Sequence, residues 1–279
     1  MSVTLRGLVL PAFDDLGDLP SEAEPWRRAY CFDRLTLAGL SSPLRYTAEG
    51  LGLVPTGVGK TAAATTAAAI CASSEVVLED PLVCSVGVAG GPPSLPVGSV
   101  VIADHIVDWD DKCRFGPGQA GLALNPYTDR GAFEVDRELV SLATSLASDV
   151  ELVSPADEGG EFPGSSGREP TVVTGTNLCG DELWHGRELA AEASWLVSEH
   201  GCGPYRATEM EDSGTVAALK RFGRADRYLS IRGISNHDRP SAGESARESF
   251  FSPGFEDGFE TGLSNAVAVA RAVVDDWLS

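Results

Sequence analysis

The sequence predicts an α/β fold, a mostly parallel sheet with helices on both sides. Three observations carry this. Apolar strand-like runs alternate with helix-periodic segments along the chain. The run Pro81 to Val88 is interrupted only by small residues, as in a strand buried on both faces. The closing segment, from about Gly258 to Leu278, repeats Leu263, Val267, Ala270, Val274 and Trp277 at spacings of four and three.

Taken in order, Leu5 to Phe13 reads as an opening strand, and Leu44 to Thr47 with Leu51 to Pro55 as a hairpin turning at Ala48-Glu49-Gly50. Thr56-Gly57-Val58-Gly59-Lys60 is a glycine turn that leads into an alanine-rich helix, Thr61 to Cys71. After the buried run comes Ala89-Gly90-Gly91-Pro92-Pro93, then a strand over Val97 to Val107. Long surface loops are expected between Trp109 and Gly131 and between Ser154 and Glu169, with a helix from Asp136 to Ala147 between them. Glu169 to Gly175 reads as a strand and Arg187 to Ser198 as a helix. Arg206 to Met210 runs into a helix over Asp212 to Phe222, and Arg227 to Ile234 supplies a further strand. There is no internal repeat, and one domain, residues 1–279, is expected.

Composition narrows the partners. Hydrophobic residues make up 43% of the 279, enough for a sizeable core. Lys plus Arg (21) against Asp plus Glu (41) gives a net charge of −20, which repels phosphate backbones and anionic membranes, so no nucleic-acid partner is expected. The longest low-charge run, Thr61 to Ser74, is too short to span a bilayer, and the N-terminus lacks the signature of a signal peptide. A cytoplasmic protein is the expectation. Six cysteines show no metal-ligand or CxxC spacing and read as buried free thiols, and no metal is expected.

Several short segments carry chemistry. The glycine turn at 56–60 lacks the full phosphate-loop spacing, and close strand-to-helix packing explains it equally well. Gly87-Val88-Ala89-Gly90-Gly91 follows a buried strand, where small residues let a ligand approach the main chain. Glu209, Met210, Glu211 and Asp212, and then Ser235, Asn236, His237 and Asp238, fall where strands are predicted to end. Glu can accept both hydroxyls of a vicinal diol, Asn can pair with a heteroaromatic base, and Asp can deliver a proton to a leaving nitrogen. The acidic cluster could equally cap a helix.

The order GVGK, GVAGG, GDELWHG, EMED, ISNHD resembles the nucleoside phosphorylase and nucleosidase superfamily, and within it the purine nucleoside permease family. The resemblance covers roughly Leu5 to Leu278. It implies a three-layer α/β/α sandwich with a central mixed, twisted sheet, and cleavage of the N-glycosidic bond of a purine or related nucleoside. It matches Met210 and Glu211 to the pair that holds the ribose and its hydroxyls, and Leu183 and Trp184 to the aromatic pair beside the base, of which only Trp184 keeps a ring; Val88, Ala89, Gly90, His185, Glu209, Ser235 and His237 are the further substrate-binding residues. Asn236 stands where many relatives carry the Asp that protonates the purine, so Asn236 is read as bonding the base edge, with Asp238 as the substitute acid or His237 managing the proton. The phosphate-gripping Arg and Ser of phosphorylases are here Ser85 and Val88, which favours water as nucleophile. Glu22 or Glu24 then matches the water-activating Glu, although Ser21 with Glu24 also fits a capping box. Phosphate is the alternative co-substrate, with Lys60, Arg45 or Arg232 as its binding cation. No other cofactor is implied, and a homo-oligomer is expected. A nucleoside-binding or uptake-associated protein without turnover is the reading from a different class.

Overall fold

The computed structural model describes residues 2–128, 131–155, 168–240, 243–250 and 255–279. Within them the strands are β1 (Val3–Leu10), β2 (Asp33–Leu35), β3 (Leu44–Tyr46), β4 (Leu51–Leu53), β5 (Val76–Gly91), β6 (Val100–Asp108), β7 (Lys112–Arg114), β8 (Leu122–Leu124), β9 (Phe133–Glu134), β10 (Val172–Cys179), β11 (Tyr205–Glu209) and β12 (Tyr228–His237). The helices are α1 (Glu24–Ala29), α2 (Lys60–Ala72), α3 (Arg137–Ala147), α4 (Arg187–Glu199), α5 (Asp212–Arg221), α6 (Ala246–Phe250) and α7 (Phe255–Leu278).

One sheet runs in the order β11-β10-β6-β12-β5-β1-β4-β3-β2, with β9 added on β6. It is mixed, and less parallel than the strand-helix alternation suggests. β1, β5 and β12 lie parallel at its centre, and β10 is parallel to β6 and β11. β6, however, runs antiparallel to β12. The sixteen-residue β5 extends past the sheet's centre until Gly90 meets Thr208 of β11. That contact rolls one half of the sheet into a ring of β11, β10, β6, β12 and β5.

The core explains the layers. Every residue of β12 but Asn236 is buried, and α7 packs its stripe of Phe259, Leu263, Val267 and Ala270 against β12, β5 and β6. α3 and α1 pack on α7 on that side, while α2 and α5 pack together on the other, and α4 lies against β10 and β11. Asp136 caps α3 by accepting from Leu139 N at 2.9 Å, so the apolar repeat and the start signal agree.

The structure corrects three further sequence expectations. β10 begins at Val172 and not at Glu169, because pairing with β6 starts at Val172 opposite Val100 and the preceding Pro170 has no N–H for a ladder. The expected loop from Trp109 to Gly131 contains the small hairpin β7-β8, whose three-residue strands are too short to give a periodicity signal. Of the second expected loop, residues 156–167 lie outside the described residues. All six cysteines are unpaired, but only Cys84 and Cys179 are buried; Cys31 is exposed and the others are partly so.

Candidate active site

The carboxyl ends of β1, β5, β11 and β12 converge on a cavity of about 660 Å³. Ligands of open α/β sheets bind where such strand ends meet. Glu22 forms one wall. It precedes α1 and is carried back under the strand ends, where it is 2% exposed. Its Oε2 accepts from Ala12 N at 2.7 Å, just past β1, and its Oε1 from Val88 N at 3.0 Å in β5. Gly87 is obligatory for this approach, because a Cβ there would overlap the Glu22 carboxylate. Burial pushes the Glu22 carboxyl up to about 7, with neighbouring Glu211 adding to it and Arg232 opposing.

Arg232 on β12 is the hub behind the second wall, which Glu209 and Glu211 line. It is 1% exposed, and its guanidinium reaches Ser85 Oγ at 2.6 Å, Glu209 Oε2 at 2.9 Å, Glu211 Oε2 at 3.5 Å and Asp212. Three carboxylates therefore share one cation. Glu209 Oε2 also accepts from the N–H groups of Glu211 and Asp212 at 2.7 and 3.0 Å, while its Oε1 has no hydrogen-bond partner among the described residues. Burial, then the nearby Asp212, holds the Glu209 carboxyl well above its usual range. The Glu211 carboxyl is raised by burial against the pull of Arg232. The glycine turn joins here. Gly59 adopts φ +93°, and its N–H at the start of α2 donates to Glu211 Oε1 at 3.0 Å. Lys60 N likewise donates to Asp181 at 2.7 Å. This turn binds the protein's own carboxylates.

Trp184 forms the third wall. It is 7% exposed, stacks on Trp109 with centroids 5.4 Å apart and meets the edge of Tyr205 at 6.5 Å. Ser235, Asn236 and Asp238 lie alongside. Asn236 donates to His237 O at 3.0 Å and accepts from Ser235 Oγ at 2.8 Å. Asp238 lines the cavity too, but Tyr205 OH donates to its Oδ2 at 2.8 Å and Arg239 Nε to its Oδ1 at 2.6 Å. Both oxygens are thus engaged.

Val88, Ala89, Gly90, Glu209, Met210 and Glu211 all line the cavity, as the resemblance implies. Three expected residues do not. Glu24 lies on α1, ion-paired with Arg27 and Arg28, and its backbone N–H donates to Ser21 Oγ at 3.0 Å, the capping role. His237 is buried with Nε2 donating to Leu95 O at 2.9 Å, because β12 turns it to the other side of the sheet from Asn236. His185 packs edge-on against Phe250 with centroids 5.7 Å apart, behind the wall.

The candidate phosphate cations are engaged as well. Lys60 Nζ pairs with Asp108 at 2.8 Å and Asp110 at 2.5 Å, Arg45 with Asp14 at 3.3 Å, and Arg232 with its carboxylates. No Lys, Arg or His stands among the described residues that line the cavity. The mouth is apolar, made by Phe13, Leu16, Leu19, Val58, Phe250, Phe255 and Phe259. Sequence reasoning missed this group: Phe259 continues the apolar stripe of α7, and the others lie in loops or at helix ends where no periodicity marks them. Among the described residues no cluster of ligating side chains could hold a metal ion.

Solved structures place the fold among the nucleosidases. A 5′-methylthioadenosine/S-adenosylhomocysteine nucleosidase from Colwellia psychrerythraea, in complex with adenine, superposes with TM-score 0.67 at 20% identity, covering 99% of this chain and 96% of that one. The corresponding enzyme of Neisseria meningitidis, bound to methylthio-immucillin-A, gives 0.67 at 22% identity over 98% and 99%. Futalosine hydrolase of Helicobacter pylori gives 0.66 at 17% over 98% of each chain. No curated protein matches the chain in sequence. The chain belongs to the purine nucleoside permease family, whose model matches residues 4–279. No helix among the described residues is long and apolar enough to cross a membrane.

Proposed function

We propose that this protein is an enzyme that hydrolyses the N-glycosidic bond of a nucleoside, with Glu22 as the general base. The carrying observation is Glu22 itself: a buried carboxyl poised near 7, both oxygens fixed by main-chain donors, at the wall of a cavity with no cation among its described lining residues. A water held by Glu22 attacks C1′. The ribosyl group then passes through an oxocarbenium-like state, which the carboxylates of Glu211 and Glu22 stabilise. Glu211 accepts from the ribose hydroxyls, held for this by Gly59 N–H and Arg232. Trp184 stacks on the base, and Asn236 hydrogen-bonds its edge.

Phosphorolysis needs an anion site, and Lys60, Arg45 and Arg232 are each held by carboxylates. Hydrolysis needs only water, so the reading includes no cofactor. It also takes residues 1–279 as one domain of a cytoplasmic homo-oligomer. The test is to incubate purine nucleosides with the protein in phosphate-free buffer and identify the sugar product. Free base with free ribose is the expected result. Turnover that requires phosphate and yields a sugar 1-phosphate overturns the hydrolytic reading, and no turnover at all leaves a binding protein.

A further inference from the structure

Breaking a neutral nucleoside places a negative charge on the departing base unless a proton is delivered to it, whereas a base that is already cationic departs neutral. Among the described residues, the wall around Trp184 holds nothing arranged to deliver that proton. Asn236 is an amide, which donates a hydrogen bond without transferring the proton. The Ser235 hydroxyl is directed to Asn236 Oδ1 at 2.8 Å and Ala89 O at 3.3 Å. Asp238 accepts from Tyr205 and Arg239 with both oxygens, and Glu182 is tied to the edge of Trp109 through Nε1 at 2.8 Å.

The rest of the cavity suits a cation. Glu22, Glu182, Glu209, Glu211, Asp238 and Glu256 line it, with no Lys, Arg or His among the described lining residues. Glu209 Oε1, on a residue 7% exposed, has no partner among the described residues. Burial and Asp212 hold the Glu209 carboxyl up, and positive charge brought beside it favours its ionised form. The Trp184 face adds cation–π attraction for a charged ring.

We infer that the preferred substrates are heteroaromatic-cation ribosides, in which the glycosidic bond joins C1′ to a positively charged ring, such as N7-alkylated purine nucleosides or N-ribosylpyridinium compounds. This rests on the hydrolytic reading and deepens it. In the step, the C1′–N bond breaks and its electron pair neutralises the ring. The oxygen of water bonds to C1′, and one of its protons passes to Glu22 and then to solvent. Charge and atoms balance without an acid.

Two matched comparisons test this with the full-length protein in phosphate-free buffer. 7-Methylguanosine is set against guanosine, with neutral 8-methylguanosine as the control for the added methyl, and nicotinamide riboside is set against inosine. An enzyme with its own acid levels the pair, because it supplies the proton that the neutral substrate lacks. Here kcat/KM for the cationic member is expected to be higher by at least about 100-fold, the low end of what a positioned acid contributes. Guanosine or inosine hydrolysed as fast as its cationic counterpart overturns the preference and leaves the hydrolytic reading standing. Failure to hydrolyse any of the five overturns both.

Discussion

The two charged walls of the cavity are built on opposite plans. Around Glu22 and Arg232, three carboxylates pair with one guanidinium and Glu22 lies beside them, so the cluster holds more carboxyl than cation. Around Trp184, Asp238 is matched by Arg239 and Tyr205 and Glu182 by Trp109 Nε1, and both lie against stacked rings. The first wall is electrostatically unfinished and the second is finished. An unfinished wall is suited to charge that develops during reaction, while a finished one is suited to holding a flat ring still.

Substitutions at each wall separate these roles. Glu22→Gln removes the base and is expected to slow base release by about 10²–10⁴-fold, while Glu24→Gln, on the ion-paired helix surface, leaves it nearly unchanged in the same assay. Arg232→Met leaves Glu209, Glu211 and Asp212 buried without their cation, and a loss of about 3–5 kcal/mol in urea unfolding is expected. Glu211→Gln keeps size but loses the charged acceptor, so kcat is expected to collapse while the unfolding midpoint stays near wild type. Trp184→Ala is expected to raise KM by the equivalent of about 1–3 kcal/mol of stacking with little change in kcat. Asp238→Asn has the smallest effect expected, below about tenfold in kcat, because its neighbours already occupy both oxygens; a loss as large as that of Glu22→Gln would make it the acid after all.

Much of this arrangement was legible in the sequence, because local signals and tertiary demands coincide there. The helices from Lys60, Arg137 and Arg187 begin at or within a residue of their expected starts, and the EMED segment follows a strand into a helix as its composition implies. The glycine turn at 56–60 was open between a ligand site and a packing device. In the fold its amides hold Glu211 and Asp181, partners 152 and 121 residues away that no local pattern reveals. The same holds for Arg232, read beforehand as an anion site. Its real partners come from β11 and the start of α5, and burial turns it inward. Glu22 and Glu24 were indistinguishable by spacing, and only the tertiary path from β1 to β5 separates them. Of the apolar mouth, only Phe259 falls in a periodic pattern, that of α7.

The central claim is that Glu22 activates water, and the dependence of kcat/KM on pH tests it most directly. Glu22 must be ionised to act, and burial raises its carboxyl to about 7. The carboxyl is faced by Arg232, Glu211 and the amides of Ala12 and Val88. Activity in phosphate-free buffer is therefore expected to be low at pH 5, to rise through a single midpoint near 7 and to level off above 8, with the rise absent in Glu22→Gln. A profile that falls from pH 5 to 8, or a rise that persists unchanged in Glu22→Gln, would contradict the account.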